Sequence, residues 1–184
     1  MRDPAPPYAG EGPRALWHVS EDDSIARFAP HLRPEHDADE PLVWAVDTRH
    51  LPLYWFPRDC PRATLWAHEG TSDADVERFL GGDRTRRVHV VEDSWFEPMR
   101  IVRLVAYRLP EETFEPYEPA GGYWISRAAV DPVEIVELGD LVALHERARI
   151  ELRCLDRLLP FWDEVVASTL QYSAMRLRNA RLPS

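Results

Sequence analysis

The residues best suited to chemistry in this sequence lie between two apolar runs. Residues 42–46 and 63–67 are rich in β-branched and aromatic side chains, and three prolines separate them, which predicts a strand, an irregular crossover and a strand. Polar and aromatic side chains crowd the crossover: Asp47, Thr48, Arg49, His50, Tyr54, Trp55, Arg58, Asp59 and Cys60. A loop of this composition on a rigid scaffold is typical of a ligand-binding segment. The alternative is that its apolar side chains simply cap the core.

A histidine in the first strand-like run is the second candidate. His18 lies within residues 15–20 (ALWHVS), and the later run VWA ends at Ala45, nine residues before Tyr54. This pattern is similar to the opening of ADP-ribosyltransferase-like domains. In that family a first-strand histidine is followed by Gly and then Ser or Thr, and a Tyr-Phe-Ala strand precedes a helix that bears a tyrosine. The chain also resembles an uncharacterised bacterial family of unknown function, which implies no activity.

The resemblance to ADP-ribosyltransferase-like domains implies NAD as cofactor and a matching set of binding residues. By this resemblance His18 hydrogen-bonds a ribose of NAD, the backbone at Val19 meets the nicotinamide amide, and Ser20 completes the motif. Tyr54 stacks on the nicotinamide ring. The implied activity is transfer of ADP-ribose or hydrolysis of NAD. The alternative from the residues themselves is a half-buried strand histidine and a core tyrosine.

Three departures from the family pattern leave catalysis open. Val19 and Leu51 stand where the family has Gly and Ser, and Gly122 stands where the catalytic Glu precedes an aromatic strand. Glu118 is a weak candidate for the missing carboxylate, because a catalytic carboxylate requires accurate positioning. Two functions therefore remain: an NAD-dependent enzyme, or a non-catalytic ligand-binding or interaction domain that lacks the Glu.

Arginines near the carboxy terminus form a candidate anion site. Arg176, Arg178 and Arg181 lie close together in an otherwise acidic chain, with Asn179 between them. One of them, with Arg49 or Arg58, could clamp a phosphate or carboxylate in bidentate fashion. The expected partner is a small anionic or nucleotide ligand. The alternative is that these arginines only complement the dipole of a helix end.

Metal and cysteine chemistry have weaker sequence signals. Two clusters hold possible metal ligands: His31, His36 and Asp37, and His89, Glu92 and Asp93. Neither has the spacing of a known metal motif, so we predict no metal site. Cys60 lies between Arg58 and Arg62, which would favour its thiolate and allow a hydrolase, whereas a structural turn is the simpler interpretation.

Composition limits the possible functions. The chain has 22 basic and 32 acidic residues and a net charge of −10, which argues against general nucleic-acid binding. Every basic residue is arginine, so lysine-dependent Schiff-base and P-loop chemistry are excluded. Two distant cysteines and no apolar leader predict a cytoplasmic protein, and no run of about 18 apolar residues predicts a membrane span. The oligomeric state stays open.

The pattern predicts one α+β domain of short strands in small mixed or antiparallel sheets, with a helical carboxy-terminal third and an ADP-ribosyltransferase-like fold. Residues 1–13 hold four prolines and are expected to form a disordered arm, followed by a single globular domain over residues 14–184. Strands are expected at 15–20, 42–46, 63–67, 87–91, 101–109, 123–126 and 133–138. Helices are expected at 20–24 (one turn), 72–80, 140–148 and within 155–172, with a loop at 111–122.

Overall fold

The structure, a computed structural model, describes residues 4–32, 40–118 and 121–182, with the backbone alone at Glu118. It divides the chain into two compact units. The six-stranded unit consists of the described residues within Gly12–Trp55 and Arg103–Leu138. The four-stranded unit consists of the described residues within Met1–Glu11, Phe56–Val102 and Gly139–Ser184. The expectation of a single globular domain from residue 14 stays a prediction.

The described residues form these strands: β1 Leu16–Ser20, β2 Val43–Asp47, β3 Arg62–Trp66, β4 Arg87–Glu92, β5 Val105–Leu109, β6 Glu115–Glu118, β7 Tyr123–Ser126, β8 Glu134–Glu137, β9 Glu151–Leu155 and β10 Gln171–Met175. They form these α-helices: α1 Asp73–Leu80, α2 Phe96–Ile101, α3 Leu141–Arg147 and α4 Leu158–Val166. The protein is therefore α+β, as predicted. None of the helices within the described residues is long and apolar enough to cross a membrane.

The six-stranded sheet has the order β6-β7-β2-β1-β5-β8, and all its neighbouring strands are antiparallel. Residues directly opposite each other in such a pair share a face. His18 lies opposite Tyr107, on the face that packs with Phe28 and Val130 to form the core of this unit. Trp17 lies opposite Val46, which lies opposite Tyr123, so these three side chains share the other face.

The four-stranded sheet has the order β10-β3-β4-β9, with β4 and β9 parallel and the other pairs antiparallel. Helices α1 and α4 cover one face of this sheet through a cluster of buried aliphatic and aromatic side chains. The cluster includes Ala63, Leu65, Val76, Phe79, Leu80, Val88, Val90, Leu158 and Val165. Burying a large apolar side chain contributes about 1.5–3 kcal/mol, so this face stabilises the unit. The opposite face carries the polar residues discussed below.

Capping residues set the ends of two helices. The Ser72 hydroxyl accepts a hydrogen bond from the Asp75 amide at the start of α1, and Gly81 ends this helix with φ 61°. The Asp140 carboxylate accepts from the amides of Val142 and Ala143 at the start of α3. The helices predicted at 72–80 and 140–148 are confirmed, and both begin at residues whose side chains cap amides close in sequence.

The prediction of a helical carboxy-terminal third is wrong, because two of its segments form strands. Residues 151–155 and 171–175 form β9 and β10, which pair with the two edges left by β4 and β3. Helix α4 covers only Leu158–Val166, and Pro160 lies in its first turn, where the missing amide costs no hydrogen bond. The helical spacing of apolar residues over 155–172 was therefore outweighed by strand pairing.

Three smaller expectations also differ from the structure. Residues 20–24 form no helical turn, because the Tyr107 hydroxyl donates to the Asp22 carbonyl and accepts from the Ile25 amide. Ile101 ends α2, so the strand expected at 101–109 begins at Val105. The loop expected at 111–122 contains β6. Within residues 4–13, Ala5 is fully buried and the Ala9 amide donates to the Ala148 carbonyl of the same unit. The expectation of a disordered arm at residues 1–13 stays a prediction.

Candidate functional site

The proposed NAD-binding residues of β1 have defined positions. The Nδ1–H of His18 donates to the Trp44 carbonyl at 3.1 Å, and its ring packs 4.8 Å from the Phe28 ring. Val19 points to the opposite face, since neighbouring strand residues alternate. The Ser20 hydroxyl accepts from the Asp22 amide at 3.1 Å. His18 is therefore a half-buried histidine on the core face of the sheet.

The Tyr54 side chain contacts the face of the six-stranded sheet opposite to that of His18. Its hydroxyl donates to the Tyr123 hydroxyl at 2.8 Å, and the Tyr123 ring lies edge-on to Trp44. Because Tyr123 and His18 lie on opposite faces of the six-stranded sheet, the structure does not bring His18 and Tyr54 together in one cleft.

Gly122 stands where ADP-ribosyltransferase-like domains have a catalytic Glu, and the His50 side chain lies against it. Gly122 has φ 70°, and a Cβ built on it would overlap the His50 ring and lie 2.8 Å from the His50 Cβ. The Asp47 amide donates to the Gly122 carbonyl at 3.0 Å, which holds the two segments together. No side chain fits at position 122 in this arrangement. The side chain of Glu118 lies outside the described residues.

Asp47 and His50 form a close pair that sequence reasoning did not single out. One Asp47 carboxylate oxygen accepts from the His50 Nδ1–H at 2.7 Å and from the His50 amide at 3.0 Å. A 3-10 turn, Leu51–Tyr54, starts directly afterwards with proline near its first position. The i, i+3 spacing of Asp and His at a strand end was the available sequence signal.

The arginines predicted to bind an anion are partly brought together in the four-stranded unit. The Arg176 Nε donates to the Arg58 carbonyl at 3.3 Å, and the Asn179 amide nitrogen donates to the Asp59 carbonyl at 2.8 Å. Arg178 is exposed on the 3-10 turn Leu177–Asn179 that follows. We call Arg58, Arg176 and Arg178 the arginine cluster. Arg49 belongs to the six-stranded unit.

Two features distinguish the backbone at Arg176 and its neighbour Met175. Arg176 has φ 58°, a left-handed conformation that costs a non-glycine residue about 1–2 kcal/mol. Next to it, the buried Arg62 places its guanidinium 2.8 Å from the Met175 sulfur and donates to the Cys60 carbonyl at 3.1 Å. A strained residue held in place by its surroundings is a recognised mark of functional sites.

Cys60 has the properties of a structural thiol. It is fully buried, and this burial raises its pKa to about 12, although the nearby Arg62 opposes the shift. A neutral buried thiol is a poor nucleophile. The arrangement argues against the hydrolase hypothesis based on this cysteine.

A buried chain of hydrogen bonds runs through the polar face of the four-stranded sheet. The Arg87 Nε donates to His89 Nε2 at 3.2 Å, and the His89 Nδ1–H donates to His145 Nε2 at 2.9 Å. His145 in turn donates its Nδ1–H to the Leu141 carbonyl at 2.7 Å. Burial, which excludes water, is the main cause that lowers the pKa of both histidines.

Neither cluster of possible metal ligands forms a metal centre within the described residues. His89 faces His145 rather than a group of carboxylates. No three His, Cys, Asp or Glu side chains in the described ranges are grouped to hold an ion. His36 and Asp37 lie outside the described residues.

Comparisons with known proteins provide a family and no function. No curated protein and no solved structure matches the chain. A family model described as a family of unknown function (DUF6886) matches residues 17–180, nearly the whole chain. The chain therefore belongs to this family of unknown function.

Proposed function

We propose that this protein binds a small anionic ligand bearing a phosphate or carboxylate group, and that the arginine cluster holds that group. The observation that carries the proposal is the hydrogen bond from Arg176 Nε to the Arg58 carbonyl, which places two arginines from distant parts of the chain side by side. Arg178 follows two residues later on an exposed turn.

The local charge favours an anion. Arg176 and Arg178 lie two residues apart and Arg176 contacts the backbone of Arg58, in a chain whose net charge is −10. Guanidinium groups are planar and present paired N–H donors that match phosphate and carboxylate oxygens. Asn179 is anchored on the Asp59 carbonyl and stabilises the turn that carries Arg178.

NAD and ADP-ribose remain test ligands because their pyrophosphate is a group of this chemical class. The proposal does not use His18 and Tyr54 as a joint nicotinamide site, since they lie on opposite faces of the sheet. Of the two functions that the sequence leaves open, the ligand-binding one is favoured. The reason is that His50 occupies the space that a carboxylate-bearing side chain at position 122 would need.

A binding series with inorganic phosphate, pyrophosphate, ADP-ribose and NAD tests the proposal. A ligand at 100 times its Kd stabilises the native state by about 2.7 kcal/mol, which a thermal-shift titration detects readily. We expect pyrophosphate and ADP-ribose to raise the melting temperature. Arg58→Gln combined with Arg178→Gln is expected to weaken binding at least about tenfold, through loss of charge-assisted hydrogen bonds.

The matched control is Arg147→Gln, which removes one exposed arginine of the same unit outside the cluster. We expect this variant to bind like the wild type. If none of the four ligands changes the melting temperature at millimolar concentration, or if the control loses binding equally, the proposal is wrong.

A further inference from the structure

A buried ring nitrogen in the six-stranded unit, Nε2 of His50, lacks a hydrogen-bond partner among the described residues. The His50 side chain is only 4% exposed. Its other nitrogen, Nδ1, carries the proton that it donates to Asp47. The lone pair of the neutral ring therefore resides on Nε2.

Keeping such a nitrogen buried is costly. A buried polar group without a partner costs about 1–3 kcal/mol, and native structures hold few of them. The fold nevertheless holds the ring rigidly: Asp47 binds it on one side, and the missing side chain of Gly122 makes room for it on the other. This combination is expected where a ring must present its lone pair to something other than the protein.

We propose that Asp47 and His50 form a proton-accepting pair for a hydroxyl group or water molecule that binds at Nε2. In the proton transfer the O–H bond breaks, the electron pair stays on oxygen and a new N–H bond forms at Nε2. The Asp47 oxygen that accepts from Nδ1–H lies 2.7 Å from the ring and offsets the charge of the resulting imidazolium. A histidine oriented by a carboxylate at its second nitrogen is the arrangement that general-base catalysis requires.

Further polar groups lie in the same two segments. Tyr54 and Tyr123 follow His50 and Gly122 along the chain, and their hydroxyls are 2.8 Å apart. The Asp47 amide is bonded to the Gly122 carbonyl, so both segments meet where β2 ends and β7 begins. This inference uses only residues of the six-stranded unit and does not depend on the arginine cluster.

Acylation with diethyl pyrocarbonate tests whether Nε2 is basic and reachable. In this reaction the imidazole lone pair attacks a carbonyl carbon, and the leaving ethyl carbonate takes the ring proton and decomposes to ethanol and carbon dioxide. We expect mass spectrometry of the digested wild-type protein to find His50 acylated. Failure to acylate His50 under conditions that acylate the exposed His31 overturns the proposal.

The variant Asp47→Asn separates a positioned base from an ordinary histidine. The same oxygen of residue 47 accepts from both the His50 amide and the His50 Nδ1–H, so an Asn side chain keeps these bonds but lacks the negative charge that stabilises the imidazolium. Acylation of His50 should therefore slow by about tenfold or more. Asp131→Asn, at an exposed carboxylate of the same unit, is the control and should leave the rate unchanged. Nitrogen-resolved NMR of the wild type gives an independent test, because a proton on Nε2 at neutral pH contradicts the proposal.

Discussion

His89 and His145 face each other in the four-stranded unit, with 2.9 Å between His89 Nδ1 and His145 Nε2. In this hydrogen bond His89 must be the donor and His145 the acceptor. Arg87 donates to the far nitrogen of His89, so that nitrogen must be the acceptor, and His145 must donate its own Nδ1–H to the Leu141 carbonyl. The chain of donors requires both rings to be neutral, and it fixes the tautomer of each.

This arrangement predicts a loss of stability in mild acid. The pKa of His145 falls from an ordinary 6.5 to about 4, because burial disfavours its charged form. Between these two pH values the unfolded chain binds a proton at this site and the folded chain does not. The free energy of unfolding should therefore decrease as the pH falls from 6.5 to 4, by an amount on the order of 3 kcal/mol from His145 alone.

Urea unfolding at a series of pH values measures this effect. His145→Gln keeps a neutral side chain and removes the titration, so its stability should depend less steeply on pH than that of the wild type. The exposed His31 provides the control, since His31→Gln should retain the full pH dependence. An unchanged slope in the His145 variant would contradict the interpretation.

Gly122 provides a second prediction, on the packing of the His50 ring. Gly122→Ala places a methyl group against the ring and imposes a side chain at φ 70°. We expect a loss of about 2–4 kcal/mol, the sum of overpacking and left-handed strain. Gly139→Ala is the matched control: this glycine has φ 67° and nothing within 4 Å of the added Cβ, so it reports the strain alone. Chemical denaturation should show the Gly139 variant to be clearly the more stable of the two.

Glu92 is a buried carboxylate that holds two parts of the chain. The same oxygen accepts from the Leu158 amide at 3.2 Å, at the start of α4, and from the Arg181 amide at 2.9 Å. Glu92→Ala leaves both donors without this acceptor in a buried site and should cost about 2–4 kcal/mol. Glu92→Gln retains an acceptor oxygen and should cost less. Denaturation of both variants tests this, and equal losses would show that the hydrogen bonds to this oxygen do not matter.

The local elements could be predicted from the sequence, and the edges of the sheets could not. The helices expected at 72–80 and 140–148 form as α1 and α3, and the capping hydrogen bonds of Ser72 and Asp140 reach only three residues along the chain. Strand β10 lacks a clear strand pattern and forms because β3 presents an edge, with Ser173 opposite Thr64. Such pairing depends on residues far apart in sequence, and no local pattern records it.

The same distinction applies to the candidate sites. The arginines in the sequence predicted an anion site, and in the structure the Arg176 side chain contacts the Arg58 backbone. The Asp47–His50 pair lies within one short segment, but its ring is confined by Gly122, a distant residue that the sequence presents only as an unusual glycine. The joint use of His18 and Tyr54 was expected from motif spacing, which does not specify the face of a sheet on which each side chain lies.

Two arginines with left-handed backbones allow the effect of backbone strain on binding to be distinguished from its effect on stability. Arg149 and Arg176 both have left-handed backbones, with φ 56° and 58°. Glycine relieves this strain but has more freedom to lose on folding, so Arg149→Gly should raise stability by only about 0.5–1 kcal/mol. Arg149 follows α3 at the position where glycine commonly ends a helix, and its replacement should leave phosphate binding unchanged. Arg176→Gly gains the same relief, loses the hydrogen bond to Arg58 and should bind pyrophosphate at least about tenfold more weakly. Calorimetric titration and denaturation of both variants give the answer, and an Arg176→Gly protein that binds pyrophosphate like the wild type would remove the arginine cluster as the anion site.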